Sequence, residues 1–148
     1  IAGAKGRRQV AAKDFFVDYF TTAVGPDEIL VSITIPKLGK GWGTCYEKFN
    51  RTASGWAVVG VAAAVKVEGG KITDARIGLT NCAAVPVRAS SVESALKGAS
   101  ISAAEIEAAS QSAAEGTRAT SDLAADKEYR EHLMRVVTAR AVSCAAGA

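Results

Sequence analysis

Apolar and polar residues alternate through much of the first half of the chain, and apolar residues recur at helical spacing in the second half. Residues 28–36 (EILVSITIP) alternate and are rich in β-branched side chains, which predicts a strand that a proline ends. Residues 44–51 (TCYEKFNR) alternate as well. Residues 56–68 (WAVVGVAAAVKVE) are nearly all apolar, so we expect a strand covered on both faces for much of its length. The following glycine pair predicts a hairpin turn, with residues 72–81 as the antiparallel partner strand.

The second half of the chain predicts three helices. Residues 88–98 carry a serine cap signal and a terminal glycine, and residues 100–116 carry a capping-box pattern from Ser102 to Glu105. Apolar positions recur at helical spacing through residues 126–145. Strands followed by helices predict the α+β class, with an antiparallel three- to four-stranded sheet and three helices packed on one face.

The first 20 residues predict a short strand over residues 9–12, followed by an aromatic cluster. Phe15, Phe16, Tyr19 and Phe20 make up this cluster. A dense group of rings is typical of a plug that closes one edge of a core, and the alternative is a contact surface for a partner protein.

Composition narrows the function classes. The chain has 148 residues, 49% of them hydrophobic, and a net charge of +3. Its cations form no basic stripe, so we expect no nucleic-acid binding. The longest apolar run, residues 56–65, is shorter than the roughly 20 residues of a membrane span, and the opening residues have no apolar core of a signal peptide. The chain starts at Ile1 rather than Met, so we expect a piece of a longer protein.

The three cysteines stand far apart in the sequence and form no CxxC pair, and the single histidine offers no metal cluster. An odd number of cysteines favours a reducing, cytoplasmic location, with free buried thiols. No nucleophile–base pair indicates catalysis.

Lys48 shares a strand face with Tyr46, Arg51 follows, and a turn leads to Trp56, so an anionic aromatic ligand would suit this surface. The alternative is a strand with ordinary surface charges and a core tryptophan.

Four segments, in this order and spacing, resemble the medium, FAD-binding subunit of molybdenum hydroxylases, and most closely the aerobic carbon monoxide dehydrogenase branch. They are DFF…YFTTAVGPDEILVSITIP, YEKFNR…GWAVVGVAAAV, GGKITDARIGLTNCAAVPVRA and SDLAADKEYREHLMRVVTARAV. The resemblance implies that residues 1–37 end a FAD-binding domain and that residues 38–148 form the C-terminal domain. It also implies that Leu30, Lys48 and Trp56 lie near the flavin, with Trp56 where tyrosine or phenylalanine is more usual.

The same resemblance implies a role in electron transfer. FAD would take electrons from iron–sulfur clusters in a small partner subunit and pass them to an acceptor, while a large partner subunit holds molybdopterin and oxidises the substrate. The complex could associate peripherally with a membrane. The glycine-rich loops that bind the FAD pyrophosphate are absent here, so we expect this chain alone to bind FAD poorly and to be inactive.

Two alternatives stay open at this point. The chain could be a cofactor-free docking module for partner subunits. It could also be the same subunit in a complex that oxidises xanthine, nicotine, quinoline or an aldehyde.

Overall fold

In the computed structural model, which describes residues 1–148, the chain divides after Leu38 into two units. The first unit, Ile1–Leu38, contains only short elements. They are β1 (Ala2–Gly3), β2 (Gly6–Arg7), α1 (Ala12–Phe15), β3 (Phe16–Asp18), β4 (Thr21–Thr22) and β5 (Glu28–Ile29). Strand β1 pairs antiparallel with both β2 and β5, and β3 pairs with β4.

An ion pair between Arg8 and Glu28 joins two distant parts of this first unit. Glu28 accepts hydrogen bonds from Arg8 Nε at 2.8 Å and from the Gly25 backbone N–H at 2.8 Å. The Arg8 guanidinium, helped by that backbone donor, lowers the pKa of the Glu28 carboxyl to about 2. The carboxylate therefore stays charged in all but strong acid.

Three sequence predictions in this unit are wrong. Residues 9–11 have no regular structure, and residue 12 begins a helix rather than ending a strand. The expected strand over residues 28–36 stops at Ile29, because no neighbouring strand of this unit takes the hydrogen bonds of the rest. The aromatic cluster is no buried plug, since Phe16 and Tyr19 are about half exposed and Phe20 is fully exposed.

The second unit, Gly39–Ala148, confirms the α+β prediction. Its strands are β6 (Trp42–Phe49), β7 (Val59–Glu68), β8 (Lys71–Thr80) and β9 (Val87–Arg88), hydrogen-bonded in that order and all antiparallel. Its helices are α2 (Ser90–Leu96), α3 (Ala103–Ser110) and α4 (Lys127–Ala146), with a 3-10 turn at Gln111–Ala114. After β8 the chain leaves the sheet and returns to it as β9.

The core lies between one face of this sheet and the helices. Val59, Val61 and Val65 of β7 are fully buried and belong to one core, in which α4 packs on β6 and β7 and α2 packs on β8. Each buried valine contributes about 1.5–3 kcal/mol relative to an exposed one. Ala62 on the other face is exposed, so the prediction of a strand covered on both faces is wrong.

Local backbone features set the register of the sheet. Gly69 and Gly70, both at positive φ, form the predicted hairpin turn between β7 and β8. A β-bulge follows, because Lys66 pairs with Asp74 while Val67 pairs with Ile72. The bulge shifts the alternation by one residue, so Ile72 is buried and does not share the face of Asp74, although alternate residues of a regular strand point the same way.

Of the two serine caps that the sequence predicts, the structure has one. The backbone N–H of Glu105 donates to Ser102 Oγ at 3.3 Å, as the capping-box pattern predicts. Ser90 lies inside α2, whose start has no side-chain cap. No helix of the chain has both the length and the hydropathy that a membrane span requires.

Cysteine pairing differs from the sequence expectation. Cys45 in β6 and Cys144 near the end of α4 form a disulfide across 99 residues, with their Cα atoms 5.9 Å apart. Cys82 is free and buried as expected, and burial raises the pKa of its thiol to about 12. Gly43 makes the pairing possible, because a side chain there would collide with the Ala145 carbonyl of α4.

Candidate functional site

The face of the sheet that the helices leave uncovered carries Tyr46 and Lys48, both exposed. The two side chains point to this face because alternate residues of a strand point the same way, as the sequence predicted. Gly60 lies opposite Lys48 in β7. A Cβ added to Gly60 would lie 2.7 Å from the Tyr46 hydroxyl, so the glycine leaves room for the tyrosine ring beside Lys48.

Lys48 differs from its basic neighbours on this face. Lys66, Arg76 and Arg88 each form an ion pair, and Arg76 also stacks over the Trp42 ring at 4.8 Å. None of the ion pairs of the chain includes Lys48. Its ammonium group is therefore the cation on this face that is available to an anionic ligand.

Trp56 lies in the hairpin loop that joins β6 to β7. The backbone N–H of Val58 donates to the Phe49 carbonyl at 2.7 Å and closes this loop just beyond Lys48. Trp56 is 92% exposed, so it is not the core tryptophan of the alternative interpretation. The structure thus places Lys48 and Trp56 at the same end of the sheet.

Contacts from distant parts of the chain hold the base of this loop. Arg130 of α4 is only 1% exposed, and it donates to the Val58 carbonyl while its guanidinium pairs with Asp122 at 2.7 Å. The Asn81 side-chain amide donates to the Ala57 carbonyl at 2.7 Å. Backbone donors and the nearby guanidinium together lower the pKa of Asp122. These contacts fix where the hairpin loop presents its indole.

Arg51 also fixes the loop. Its guanidinium donates to the Leu123 carbonyl at 2.9 Å, so a structural contact accounts for a residue whose role the sequence left open. Within the loop, Gly55 donates to the Thr52 carbonyl at 2.9 Å, and a Cβ at residue 55 would lie 2.7 Å from Thr52 Oγ1. A larger residue at this position would therefore have to displace the Thr52 hydroxyl, so glycine suits the tight turn before Trp56.

Sequence reasoning missed Arg130 and Asn81. Charged residues lie on both sides of Arg130 in the sequence, a pattern typical of a solvated helix face. A signal was present in the spacing, since residue 130 precedes the buried Leu133, Met134 and Val137 by three, four and seven positions. Asn81 has a φ of 61°, a conformation in which asparagine is enriched, at the end of β8.

Leu30 belongs to the first unit, directly after β5, and its side chain is exposed. The uncovered sheet face of the second unit also has a shallow depression of about 500 Å³, which Tyr46, Ala62, Arg76 and Arg88 help to line. Alanines on this face would let a flat or extended partner approach the sheet closely.

The chemical capacity of this end of the sheet is binding rather than catalysis. An exposed indole offers a flat apolar surface, and an unpaired ammonium group at the same end of the sheet suits a ring system that carries partial negative charge.

Comparison with known proteins identifies the family. Residues 44–145 match the CO dehydrogenase flavoprotein C-terminal domain. The chain belongs to that family. It is 34% identical over 142 residues to the carbon monoxide dehydrogenase medium chain of Afipia carboxidovorans, and 30% identical to that of Hydrogenophaga pseudoflava. The alignments cover 96% and 98% of this chain, which spans about half the length of these relatives.

Solved structures agree with this family membership. The reconstituted CO dehydrogenase from Oligotropha carboxidovorans matches with a TM-score of 0.92 and 34% identity, over 99% of this chain and 51% of that one. Quinoline 2-oxidoreductase from Pseudomonas putida 86 matches with a TM-score of 0.91 and 28% identity, over 99% of this chain and 50% of that one. The α+β architecture is therefore that of the family.

The relatives act on different substrates. The nicotine 6-hydroxylase medium subunit of Paenarthrobacter nicotinovorans is 30% identical over 96% of this chain and 50% of its own length, which equals the identity to the Hydrogenophaga protein. Sequence identity thus assigns the subunit type and leaves the substrate open.

Proposed function

We propose that the chain is the C-terminal part of the FAD-binding subunit of a molybdenum-containing, carbon monoxide dehydrogenase-type oxidoreductase, in which it helps to hold and shield the flavin. The observation that supports this most directly is the placement of an unpaired Lys48 and a 92% exposed Trp56 at one end of the sheet. Family membership supports the class of cofactor, and the two side chains support the position that we propose for it.

In this proposal Trp56, Lys48 and the residues that hold the loop have different roles. When bound, FAD accepts electrons and passes them on. The indole of Trp56 covers one part of the ring system and excludes water there. The Lys48 ammonium group stabilises negative charge on the ring, which raises the reduction potential. Arg130, Asn81 and Arg51 hold the loop, so the indole keeps one position.

The first unit completes the proposal. We assign residues 1–37 to the end of the FAD-binding domain, residues 38–148 to the C-terminal domain, and Leu30 to a contact with the cofactor. The exposed apolar side chains of Ile33 and Ile35 support this assignment, because they need a covering that this unit does not supply. The glycine-rich loops for the pyrophosphate would come from the rest of the subunit.

The complete enzyme has two further subunits in this proposal. A large subunit holds molybdopterin and oxidises the substrate, and a small subunit carries the iron–sulfur clusters that deliver electrons to FAD. We place the complex in the cytoplasm, with a quinone as the acceptor if the substrate is carbon monoxide. The same architecture would serve a complex that oxidises xanthine, nicotine, quinoline or an aldehyde.

One observation favours a second role, docking to partner subunits. Phe16, Tyr19 and Phe20 are exposed in the first unit, and exposed rings mark contact surfaces. In this alternative no residue of the chain contacts FAD, and the exposed aromatic residues bind a partner protein instead.

Replacing Lys48 in the complete flavoprotein subunit tests the proposal. Lys48→Ala should weaken FAD binding by roughly tenfold or more, since a charge-assisted contact is worth about 1.5–3 kcal/mol. It should also lower the midpoint potential, because negative charge on the reduced ring loses its counter-charge. Lys97→Ala, at an exposed lysine in another part of the unit, is the matched control. Unchanged affinity and potential in Lys48→Ala would remove Lys48 from the site.

A further inference from the structure

A third potential metal ligand, Glu47, lies close to the two cysteines of the disulfide. Cys45 and Glu47 are two residues apart in β6, so they point to the same face, and Cys144 reaches them from α4. The two sulfur atoms and a carboxylate oxygen of Glu47 all lie within 4.8 Å of one another. Thiolates and carboxylates are both ligands that Zn²⁺ accepts in proteins.

The carboxylate of Glu47 has no other partner. It is half-buried between the sheet and α4, and none of the ion pairs of the chain includes it. A half-buried carboxylate normally finds a cation or a hydrogen-bond donor, because water solvates it only in part. The Glu47 carboxylate points toward the two sulfur atoms. A cation bound between these three groups would give the carboxylate a partner.

The surrounding backbone holds the ligands in place and favours positive charge. Gly43 lets the end of α4 lie directly against β6, and Gly147 caps the helix by donating to the Cys144 carbonyl at 3.3 Å. The C-terminal end of a helix carries partial negative charge, which attracts a cation near Cys144. Cys144 is exposed, so both a reductant and a metal ion can reach it.

We propose that Cys45, Glu47 and Cys144 form a zinc site when the disulfide is reduced. A dithiol breaks the Cys45–Cys144 bond, gives its two electrons and two protons to the two sulfur atoms, and closes to its own cyclic disulfide. Zn²⁺ then displaces the two thiol protons into solvent. The sulfur atoms separate to about 3.8 Å, as two ligands at about 2.3 Å from a tetrahedral ion require.

Glu47 supplies the third ligand and water fills the fourth position. The pair of cysteines thus has two states, a disulfide under oxidising conditions and a metal-bound pair of thiolates under reducing ones. Each state joins β6 to α4, so the link between these elements persists through a change of redox conditions.

The test measures zinc uptake by the purified chain after treatment with a dithiol and its removal under argon. A chromophoric chelator that competes for Zn²⁺ gives the affinity, and Co²⁺ in place of zinc gives thiolate-to-metal absorption bands and the ligand count. We expect one metal ion per chain. Cys45→Ser and Cys144→Ser should abolish tight uptake, and Glu47→Gln should weaken it by about tenfold or more.

Matched controls separate loss of a zinc ligand from loss of the disulfide or of the fold. Reduced wild-type chain is the reference for the serine variants, since it also has no disulfide. Cys82→Ser, at the buried free cysteine, should leave uptake unchanged. Circular dichroism checks the fold of each variant. Failure of the reduced, folded wild-type chain to bind one Zn²⁺ would overturn the proposal, and so would uptake that survives in Cys45→Ser or is lost in Cys82→Ser.

Discussion

Arg130 shows how a single contact can override the local pattern of charge. Charged, exposed residues such as Lys127 and Glu128 precede it in the sequence, yet its guanidinium is buried and donates to the Val58 and Thr120 carbonyls. Because both carbonyls belong to segments without regular structure there, the guanidinium replaces backbone partners that a sheet or helix would provide. One side chain therefore joins α4 to the base of the loop that carries Trp56.

Replacing Arg130 should release this loop. Arg130→Met keeps the aliphatic bulk but removes the guanidinium donor from the Val58 and Thr120 carbonyls and the partner of Asp122, so the free energy of unfolding should fall by about 2–4 kcal/mol. Chemical denaturation measures the loss, and hydrogen exchange at the Val58 amide should become faster. Arg140→Met, at an exposed arginine of the same helix, should change stability by less than about 0.5 kcal/mol. Equal stability of the two variants would refute the anchoring role.

Thr138 presents the opposite case, a buried hydroxyl that makes no hydrogen bond. Burial of an unpaired polar group costs free energy, and valine has nearly the same shape as threonine. Thr138→Val should therefore raise the free energy of unfolding by about 0.5–1.5 kcal/mol in chemical denaturation. Thr120→Val, at an exposed residue, should have little effect. A loss of stability in Thr138→Val would mean that the hydroxyl has a partner.

The disulfide determines how β6 and α4 are joined. It closes a loop of 99 residues between a strand in the first part of the second unit and the last turns of its last helix. In the chain-entropy account, a loop of this length stabilises the folded state by about 4–5 kcal/mol. Packing of α4 on β6 and β7 gives the same contact a hydrophobic component.

Thiol counting checks this pairing. The native chain should show no reactive thiol, because two cysteines are paired and Cys82 is buried with a raised pKa. Denaturant without reductant should expose one thiol, and denaturant with reductant three. The matched control Cys82→Ala should show none in denaturant alone. Three thiols in unreduced, denatured chain would contradict the disulfide. Loss of the disulfide in Cys45→Ser should lower the free energy of unfolding by about 2–5 kcal/mol.

Sequence patterns predicted the elements that have local causes. The glycine pair at 69–70 set the hairpin, the alternation in β6 placed Lys48 on the uncovered face, and Ser102 capped α3 as its spacing indicated. In each case the cause lies within a few residues. The family resemblance was confirmed by the match of residues 44–145.

Other features had causes that a linear pattern does not contain. The strand expected over residues 28–36 failed because strand pairing needs a partner, and this unit supplies one only for Glu28–Ile29. The bulge opposite Lys66 moved Ile72 into the core. The pairing of Cys45 with Cys144 and the burial of Arg130 depend on contacts between distant residues. The roles of Leu30, Lys48 and Trp56 stay predictions.

At the scale of the whole molecule, the two units differ in how far they bury their apolar residues. The second unit has a continuous core between its sheet and helices, whereas the first exposes Phe20, Ile33 and Ile35. Exposed apolar runs of this kind need a covering surface. The difference agrees with the proposal that the first unit belongs to a domain whose main part lies in the rest of the subunit.

The central claim is that the end of the sheet with Lys48 and Trp56 faces the flavin, and Trp56 fluorescence tests it most directly. Trp42→Phe makes Trp56 the single indole while keeping a ring beside Arg76. This variant, mixed with the N-terminal half of the subunit, is titrated with FAD, and flavin absorption reports binding. FAD should quench Trp56 emission only when both halves are present, and Lys48→Ala should shift the quenching to higher FAD concentrations. Binding of FAD with no change in Trp56 emission would contradict this claim.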